Sequence, residues 1–351
     1  TASFTITGCA ADSERDAFLG LPAVRGVIPH DQKHRLPDLL EESPEAPALP
    51  LRARSKTRDR DIFSLRISRF DQHTRAFLKI EDGCDLCCTF CIIPSVRGGP
   101  VSRPLQEAVD EAKRLVDSGY KEIVLTGVHL GSYGKDLAGR SMIPDLVENL
   151  LKLPVRVRIS SVEVNEIEEP LLDLMASEPR FCPHLHLPLQ SGDDTILAAM
   201  KRRYNSRQFL AACERIAERI PDPGLTSDVI IGFPGETEEQ FERSVELCRR
   251  AGMSRLHLFP YSPRAGTEAA RLPDDVPWRV KKSRTDRLRN LSREWTQAYA
   301  RRFIGRDVEV LREQEGGYTE RYLRAEVAGE RNELIRAKVM GVKNDLLLCS
   351  R

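Results

Sequence analysis

The sequence predicts an α/β protein: a parallel sheet, either open or curled into part of a barrel, followed by a small all-β module. Three observations predict it. From about residue 74, six short apolar runs alternate with amphipathic helical stretches. After about Ile304 the pattern changes to short alternating runs broken by turn residues. Ahead of the regular alternation lies a proline-rich and then basic stretch with no periodicity, which reads as a linker behind an N-terminal fragment.

Residues 1–40 hold a short strand, Ser3 to Cys9, and helix-like stretches around Glu14–Leu19 and Lys33–Leu40. Glu42 to Pro50 and the basic run Arg52 to Arg60 form the linker. The six expected strands are Ala76–Ile80, Ile123–Thr126, Val155–Ser160, His184–Leu189, Leu225–Ile231 and Arg255–Pro260. Between them, Leu210, Cys213, Ala217 and Ile220 repeat at helical spacing, as do Phe241, Val245 and Cys248 behind a Thr237/Gln240 capping box. In sheets of this kind the chemistry sits at the carboxyl ends of the strands. A long helix is expected over Val276–Phe303, and strands of the last module at Val308–Leu311, Tyr322–Val327, Ile335–Val339 and Leu346–Cys349. The expected units are 1–62, 63–303 and 304–351.

The chain has 351 residues, 54 of them basic and 53 acidic, so no global field argues for a polyanionic partner, although a local one can exist. There is no run of about 18 apolar residues and no signal-peptide pattern, which argues against a membrane partner and for a soluble, cytoplasmic protein with reduced thiols. Nine cysteines is an odd number, and four of them fall between Cys84 and Cys91. That suits metal ligation better than a disulfide framework.

Cys84, Cys88 and Cys91 have the spacing C-x3-C-x2-C directly after the first strand of the α/β unit. Three thiolates hold three irons of a 4Fe-4S cluster and leave one iron without a protein ligand, an open corner for a chelating cofactor. Zinc and inert buried thiols are the competing readings. Zinc usually takes four ligands in paired short spacings, and no second pair follows at a suitable distance. Cys87 has no assigned role. Cys213 and Cys248 fall on apolar helix faces and read as core.

Together with Phe90 to Gly98, His186 to Asp193, Met200 to Tyr204 and Asp228 to Thr237, this cysteine motif resembles the methylthiotransferase branch of the radical S-adenosylmethionine superfamily. The resemblance covers nearly the whole chain. It implies a partial (β/α)6 barrel, S-adenosylmethionine bound at the open iron, and a radical that removes hydrogen from an aromatic carbon. The ligands carried over are Cys84, Cys88 and Cys91; Phe90, Thr126, Gly127, Ser161, Glu163, Gln190 and Asp228 are the implied cofactor contacts. Cys9, after Gly8, corresponds to a ligand of a second, auxiliary 4Fe-4S cluster whose other two cysteines would precede this sequence; with Thr1 opening in mid-strand, an upstream extension is expected. The last module resembles the TRAM RNA-binding domain. Between Arg279 and Arg306, ten basic residues face two acidic ones, with Trp295 and Tyr299 interleaved, which suits phosphate contact. Leu125 to Gly134 resembles the group acting on N6-threonylcarbamoyladenosine, at position 37 of tRNA. Implied partners are tRNA and an electron donor such as flavodoxin or ferredoxin; the sulfur donor is not identified. The rival readings are an isopentenyladenosine methylthiotransferase, another radical S-adenosylmethionine enzyme, and an RNA-binding protein with a structural metal.

Overall fold

The computed structural model describes residues 4–36, Phe63 and 74–351; the linker expected over 42–60 lies outside the described residues. The N-terminal fragment pairs β1 (Phe4–Thr7) in parallel with β2 (Val24–Ile28) around the short helices Cys9–Ser13 and Arg15–Leu19. β2 was not anticipated from sequence. Its Gly26 interrupts the apolar alternation, and its buried end, Val27 and Ile28, is only two residues long. Instead of the full helix expected at Lys33–Leu40, a 3-10 turn runs from His30 to Arg35; residues 37–40 lie outside the described part.

Six parallel strands then follow in two three-stranded sheets. β3 (Arg75–Lys79), β6 (Glu122–Thr126) and β7 (Arg156–Ile159) form one, in the order β3-β6-β7. β8 (His184–His186), β9 (Gly224–Ile231) and β10 (Arg255–Pro260) form the other, in the order β10-β9-β8. Isolated bridges Ser161–His186 and Val157–Phe181 join them edge to edge. A two-residue ribbon, β4 (Glu81–Asp82) with β5 (Val101–Ser102), caps the first sheet and was too short to read from periodicity.

Alternation gives each strand a helix-covered face and an inner face. Ala76 and Leu78, Ile123 and Leu125, Val157 and Ile159, Leu185 and Leu187, Leu225 and Val229, and Leu256 all join one apolar core with the helices. The helix Leu105–Asp117 contributes Ala108, Val109, Ala112 and Leu115, one stripe at helical spacing. The helices Ser206–Arg219 and Glu238–Arg250 both start with complete capping boxes, Asn205 with Gln208 and Thr237 with Gln240. Each cap contributes about 1 kcal/mol. Cys213 and Cys248 are buried in this core, as expected.

The helix Trp278–Arg301 leads into a closed five-stranded barrel of β11 (Asp307–Arg312), β12 (Gly317–Thr319), β13 (Arg324–Glu326), β14 (Leu334–Lys343) and β15 (Leu346–Ser350). Ile335, Ala337 and Val339 alternate inward along β14 and pack with Tyr299, Ala300 and Phe303 of the helix end, so helix and barrel share a core. β12 is short and opens on Gly317, so no alternation in the sequence marks it. That glycine is required: a Cβ there would lie 2.3 Å from the Leu311 carbonyl oxygen.

This barrel closes the end of the parallel arc at which the strands begin. Arg156 and Arg158 donate through Nε to Glu122, at 2.7 and 2.8 Å. The same guanidiniums reach the backbone oxygens of Glu309, Thr319 and Glu320 at 2.8, 3.0 and 3.0 Å. Arg75 lies over the Tyr318 ring, and a Cβ on Gly224 would meet the Arg321 carbonyl oxygen at 2.5 Å. The opposite end, where the strands finish, stays uncovered by this module.

Candidate active site

The Cys84–Cys91 loop leaves β4 at that opposite end. It is tied down by backbone bonds: Cys84 N–H to Gly98 O (2.9 Å), Cys91 N–H to Cys88 O (3.0 Å) and Thr89 N–H to Met200 O (3.2 Å). The Thr89 hydroxyl adds a bond to Ala199 O at 2.9 Å. Cys84 and Cys88 are buried and Cys91 is half-buried, while Cys87 is exposed, with φ at 54° in the left-handed region. Thus three of the four cysteines face inward and the fourth is turned out by the backbone. Burial pushes the Cys88 and Cys91 thiols up, and each is raised further by its cysteine neighbours, Cys84 acting on Cys88 and both acting on Cys91.

Arg202, which sequence reasoning quoted only as part of a motif, is the strongest addition to this site. Its Nη1 donates to Cys88 Sγ at 3.2 Å, and its Nη2 pairs with Glu163 and bonds Tyr204 Oη at 3.0 Å. A nearly buried guanidinium held by a carboxylate and aimed at a thiol stabilises that sulfur as thiolate, the form that binds iron. No local signal singles it out, because it is the middle of three consecutive cations, Lys201-Arg202-Arg203.

Glu81 was also missed. Its Oε2 accepts the backbone N–H groups of Val128 and His129 at 2.7 and 2.8 Å, which shapes the turn after β6. A Cβ on Gly127 would come within 2.8 Å of that oxygen, so the close approach that this glycine permits is to Glu81. Burial raises the Glu81 pKa to about 7, against the lowering effect of the two N–H bonds. Its other oxygen, Oε1, is buried without a hydrogen-bond partner among the described residues. His129 is buried between Glu166 (Nε2 to Oε2, 2.8 Å) and Asp85 (Nδ1 to Oδ1, 3.3 Å). Burial would lower its pKa, but Cys84 and Glu166 outweigh burial and raise it to about 10.

The other sequence-named residues divide into two groups. Thr126 ends β6 beside the Glu81 turn, and Glu163 reaches the cysteines through Arg202. Phe90 packs against the cluster of Ile196, Met200, Ile230, Phe233 and Tyr261. Gln190 has φ at 66°, a strained setting for a non-glycine residue; its backbone donates to Asp228 O and accepts from Ile230 N, at 2.8 and 2.9 Å. Ser161 bridges to His186, and Asp228 meets His186 and His257 rather than the cysteine loop. Cys9 lies against the loop from outside: Arg97 donates to its sulfur at 3.1 Å and to Asp82 at 3.0 Å. Asp82 also takes His30 and Lys79, each at 2.9 Å, which outweigh burial and hold its carboxyl well below the usual range.

The expected basic helix is largely engaged with its own fold. Arg284 pairs with Glu236 and Glu238, Arg287 with Glu242, Lys281 with Asp274, and Arg302 and Arg306 with Asp222. Its charge therefore stabilises packing against neighbouring elements first.

The residues at the strand ends fit an iron–sulfur cluster with a chelating amino-acid cofactor. Three thiols withdrawn from solvent, a cation on one sulfur and a buried carboxylate oxygen lacking a donor among the described residues make a donor set for a cluster and an ammonium group.

Comparison with known proteins agrees. Residues 78–248 match the Radical SAM superfamily model. The chain is 36% identical to the threonylcarbamoyladenosine tRNA methylthiotransferase MtaB of Thermotoga maritima, over 93% of this chain and 75% of that protein. It is 35% identical to MtaB of Bacillus subtilis, over 91% and 73%. A tRNA-2-methylthio-N(6)-dimethylallyladenosine synthase of Bacillus velezensis is 36% identical, over 82% of this chain and 58% of its own length. Among solved structures, the cobalamin-dependent S-adenosylmethionine radical enzyme OxsB shares the fold, with a TM-score of 0.50 and 14% identity over 83% of this chain and 42% of that one. The chain belongs to the radical S-adenosylmethionine tRNA methylthiotransferase family.

Proposed function

We propose that the protein methylthiolates C2 of N6-threonylcarbamoyladenosine at position 37 of tRNA, with Cys84, Cys88 and Cys91 as the ligands of its 4Fe-4S cluster. The observation that carries this reading is the withdrawal of those three cysteines from solvent in one tied-down loop at the strand ends, while Cys87 is exposed, with Arg202 on the Cys88 sulfur. The choice of nucleoside rests on coverage. The MtaB relatives align over at least nine-tenths of this chain, whereas the dimethylallyladenosine synthases align over 80–89% at similar identity.

When bound, the cluster and S-adenosylmethionine supply one-electron chemistry at an aromatic C–H bond that acid–base groups cannot break. The protein's own residues do the rest. Arg202 neutralises the Cys88 thiolate, and Glu163 and Tyr204 fix the guanidinium. Glu81 holds the Thr126–His129 turn and offers Oε1 to the cofactor's ammonium group. Phe90 and Ile230 give the adenine an apolar wall, with Ser161 and Gln190 as polar contacts. Cys9 would serve the auxiliary cluster from beside Arg97.

In this reading the two sheets act as one partial (β/α)6 barrel within 63–303, residues 1–62 belong to the methylthiotransferase N-terminal unit, and 304–351 is a TRAM domain that holds RNA. A flavodoxin or ferredoxin donates the electron, and the enzyme works in the cytoplasm. Among the described residues no helix is long and apolar enough to cross a membrane. Mass spectrometry of tRNA nucleosides from cells with and without the gene tests the proposal. Loss of the methylthio-threonylcarbamoyladenosine signal is expected; loss of the dimethylallyl counterpart instead would reassign the substrate.

A further inference from the structure

The inner face of the second sheet carries a polar group that neither the cysteine site nor the packing uses. His186 on β8, Asp228 on β9 and His257 on β10 share one carboxylate oxygen: His186 Nε2 lies 3.2 Å and His257 Nδ1 3.4 Å from Asp228 Oδ1. His257 and Asp228 are register partners, and their neighbours Leu185, Leu187, Val229 and Leu256 point the other way, into the helix-covered core. The His186 ring continues through its Nδ1 to the Thr226 hydroxyl (3.0 Å), which meets His184 Nε2 at 3.2 Å, so His186 has both nitrogens engaged. For the other two residues, Asp228 Oδ2 and His257 Nε2 are the remaining hydrogen-bonding atoms.

The exposure of these side chains rises outward along the sheet: 11% for His186, 25% for Asp228 and 47% for His257. A large aromatic side chain, Phe259, lies two residues beyond His257 on the same face of β10 and is 50% exposed. Polar atoms half-withdrawn from water beside an exposed aromatic ring suit a splayed-out base. A ring stacks on its face, and fixed donors and acceptors read its edge.

The geometry points to the Asp228–His257 pair, oriented by His186, as the subsite that reads the N6 substituent of the substrate adenosine. This rests on the reading that the substrate is an N6-modified adenosine of tRNA. A threonylcarbamoyl group brings ureido N–H groups, a carbonyl, a hydroxyl and a carboxylate, which can answer Asp228 Oδ2 and His257 Nε2. A dimethylallyl group brings only hydrocarbon. Pressed against this pair it would strip water from a carboxylate and return no hydrogen bond. A site built to bond polar substrate groups rejects analogues lacking them far better than an apolar pocket rejects an extra methyl.

The test uses the reconstituted full chain and anticodon stem-loops carrying either N6-threonylcarbamoyladenosine or N6-dimethylallyladenosine. Dissociation constants are measured for wild type, His257→Leu, Asp228→Asn and the shape-preserving His257→Gln, with cluster absorbance and melting temperature as checks of integrity. Wild type should favour the threonylcarbamoyl stem-loop. His257→Leu and Asp228→Asn should each lower that preference about 10–100-fold, the worth of one lost polar contact, and His257→Gln should keep part of it. A preference that persists in both Leu and Asn variants overturns the subsite while leaving the nucleoside assignment standing, because that assignment is read from cellular tRNA. Absence of any wild-type preference overturns the subsite as well. So does a stoichiometric metal ion, beyond cluster iron, that is present in wild type and lost in His257→Leu, since the three side chains would then serve that ion.

Discussion

Where the strands of the parallel arc begin, Glu122 is fully buried against Arg156 and Arg158, and both guanidiniums go on to bond carbonyl oxygens of the C-terminal barrel. Where the strands finish, charge is also buried, but its bonding is incomplete. Glu81 keeps an oxygen without a partner among the described residues, and the Arg202 guanidinium spends a donor on a thiol. At the first end these three charges form a closed set of donors and acceptors that docks one domain on another. The second is a set with openings that a cluster and a small cationic cofactor can fill. Buried charge alone therefore does not mark an active site; here the distinguishing feature is a buried carboxylate with an open oxygen beside the cysteine loop.

The comparison breaks most sharply at the cysteines. Replacing Cys84, Cys88 or Cys91 with Ala should leave a folded chain, because among the described residues none of the three joins a disulfide or an apolar core cluster. It should abolish cluster absorbance and 5′-deoxyadenosine formation. Anaerobic reconstitution with product analysis checks this, and deoxyadenosine persisting in any of the three variants would remove the assignment.

At the closed end the expected loss is in stability. Arg156→Met strands Glu122 beside a single arginine, and Glu122 is fully enclosed. Removing one partner from a buried pair costs about 3–5 kcal/mol. Denaturant unfolding should show that loss, with protease cleavage appearing near residue 304 as the barrel undocks. A variant as stable as wild type would mean that the pair only breaks even with its desolvation.

Arg202→Lys sits between these extremes. A lysine keeps the charge but cannot hold Cys88, Glu163 and Tyr204 at once. Partners of metal ligands typically matter about 10–100-fold. We expect activity to fall by that order, with a changed cluster midpoint potential as the readout that a merely structural arginine would not move.

The same contrast explains what was legible in the sequence. The parallel strands, the long helix and the closed C-terminal module follow from periodicity, because each buries one face, and the cysteine loop follows from spacing within eight residues. Glu81, Arg202 and His257 were not legible as site residues. Each takes its role from partners distant in sequence: Glu81 from a turn 47 residues on, Arg202 from a thiol 114 residues back, His257 from a strand partner. The basic helix shows the same limit of a sequence reading. Composition counts its arginines, while the acids that neutralise Arg284, Arg287 and Arg306 come from other elements. Short pieces such as β4, β5 and β12 escaped because two or three residues carry no period.

The smallest predicted effect is one of acidity, and it separates the two ends by sign. Burial alone would raise the Glu122 pKa, but Arg156 and Arg158 outweigh it and lower it to about 2. A carboxyl depressed in the folded state contributes stability that is complete above its ordinary value near 4.5 and is lost as pH falls through about 2. Glu81 works the other way: raised to about 7, it costs stability as pH climbs from about 4.5 toward 7, because the unfolded chain ionises first. Unfolding free energy of the cluster-free protein measured against pH should therefore rise between pH 2 and 4.5 through Glu122 and lose some of its height between 4.5 and 7 through Glu81. Glu122→Gln should flatten the lower limb although it lowers stability throughout, and Glu81→Gln should flatten the upper one. If both variants keep the wild-type slopes, the two carboxylates are not set apart by their surroundings and the contrast between a satisfied and an unsatisfied end loses its electrostatic basis.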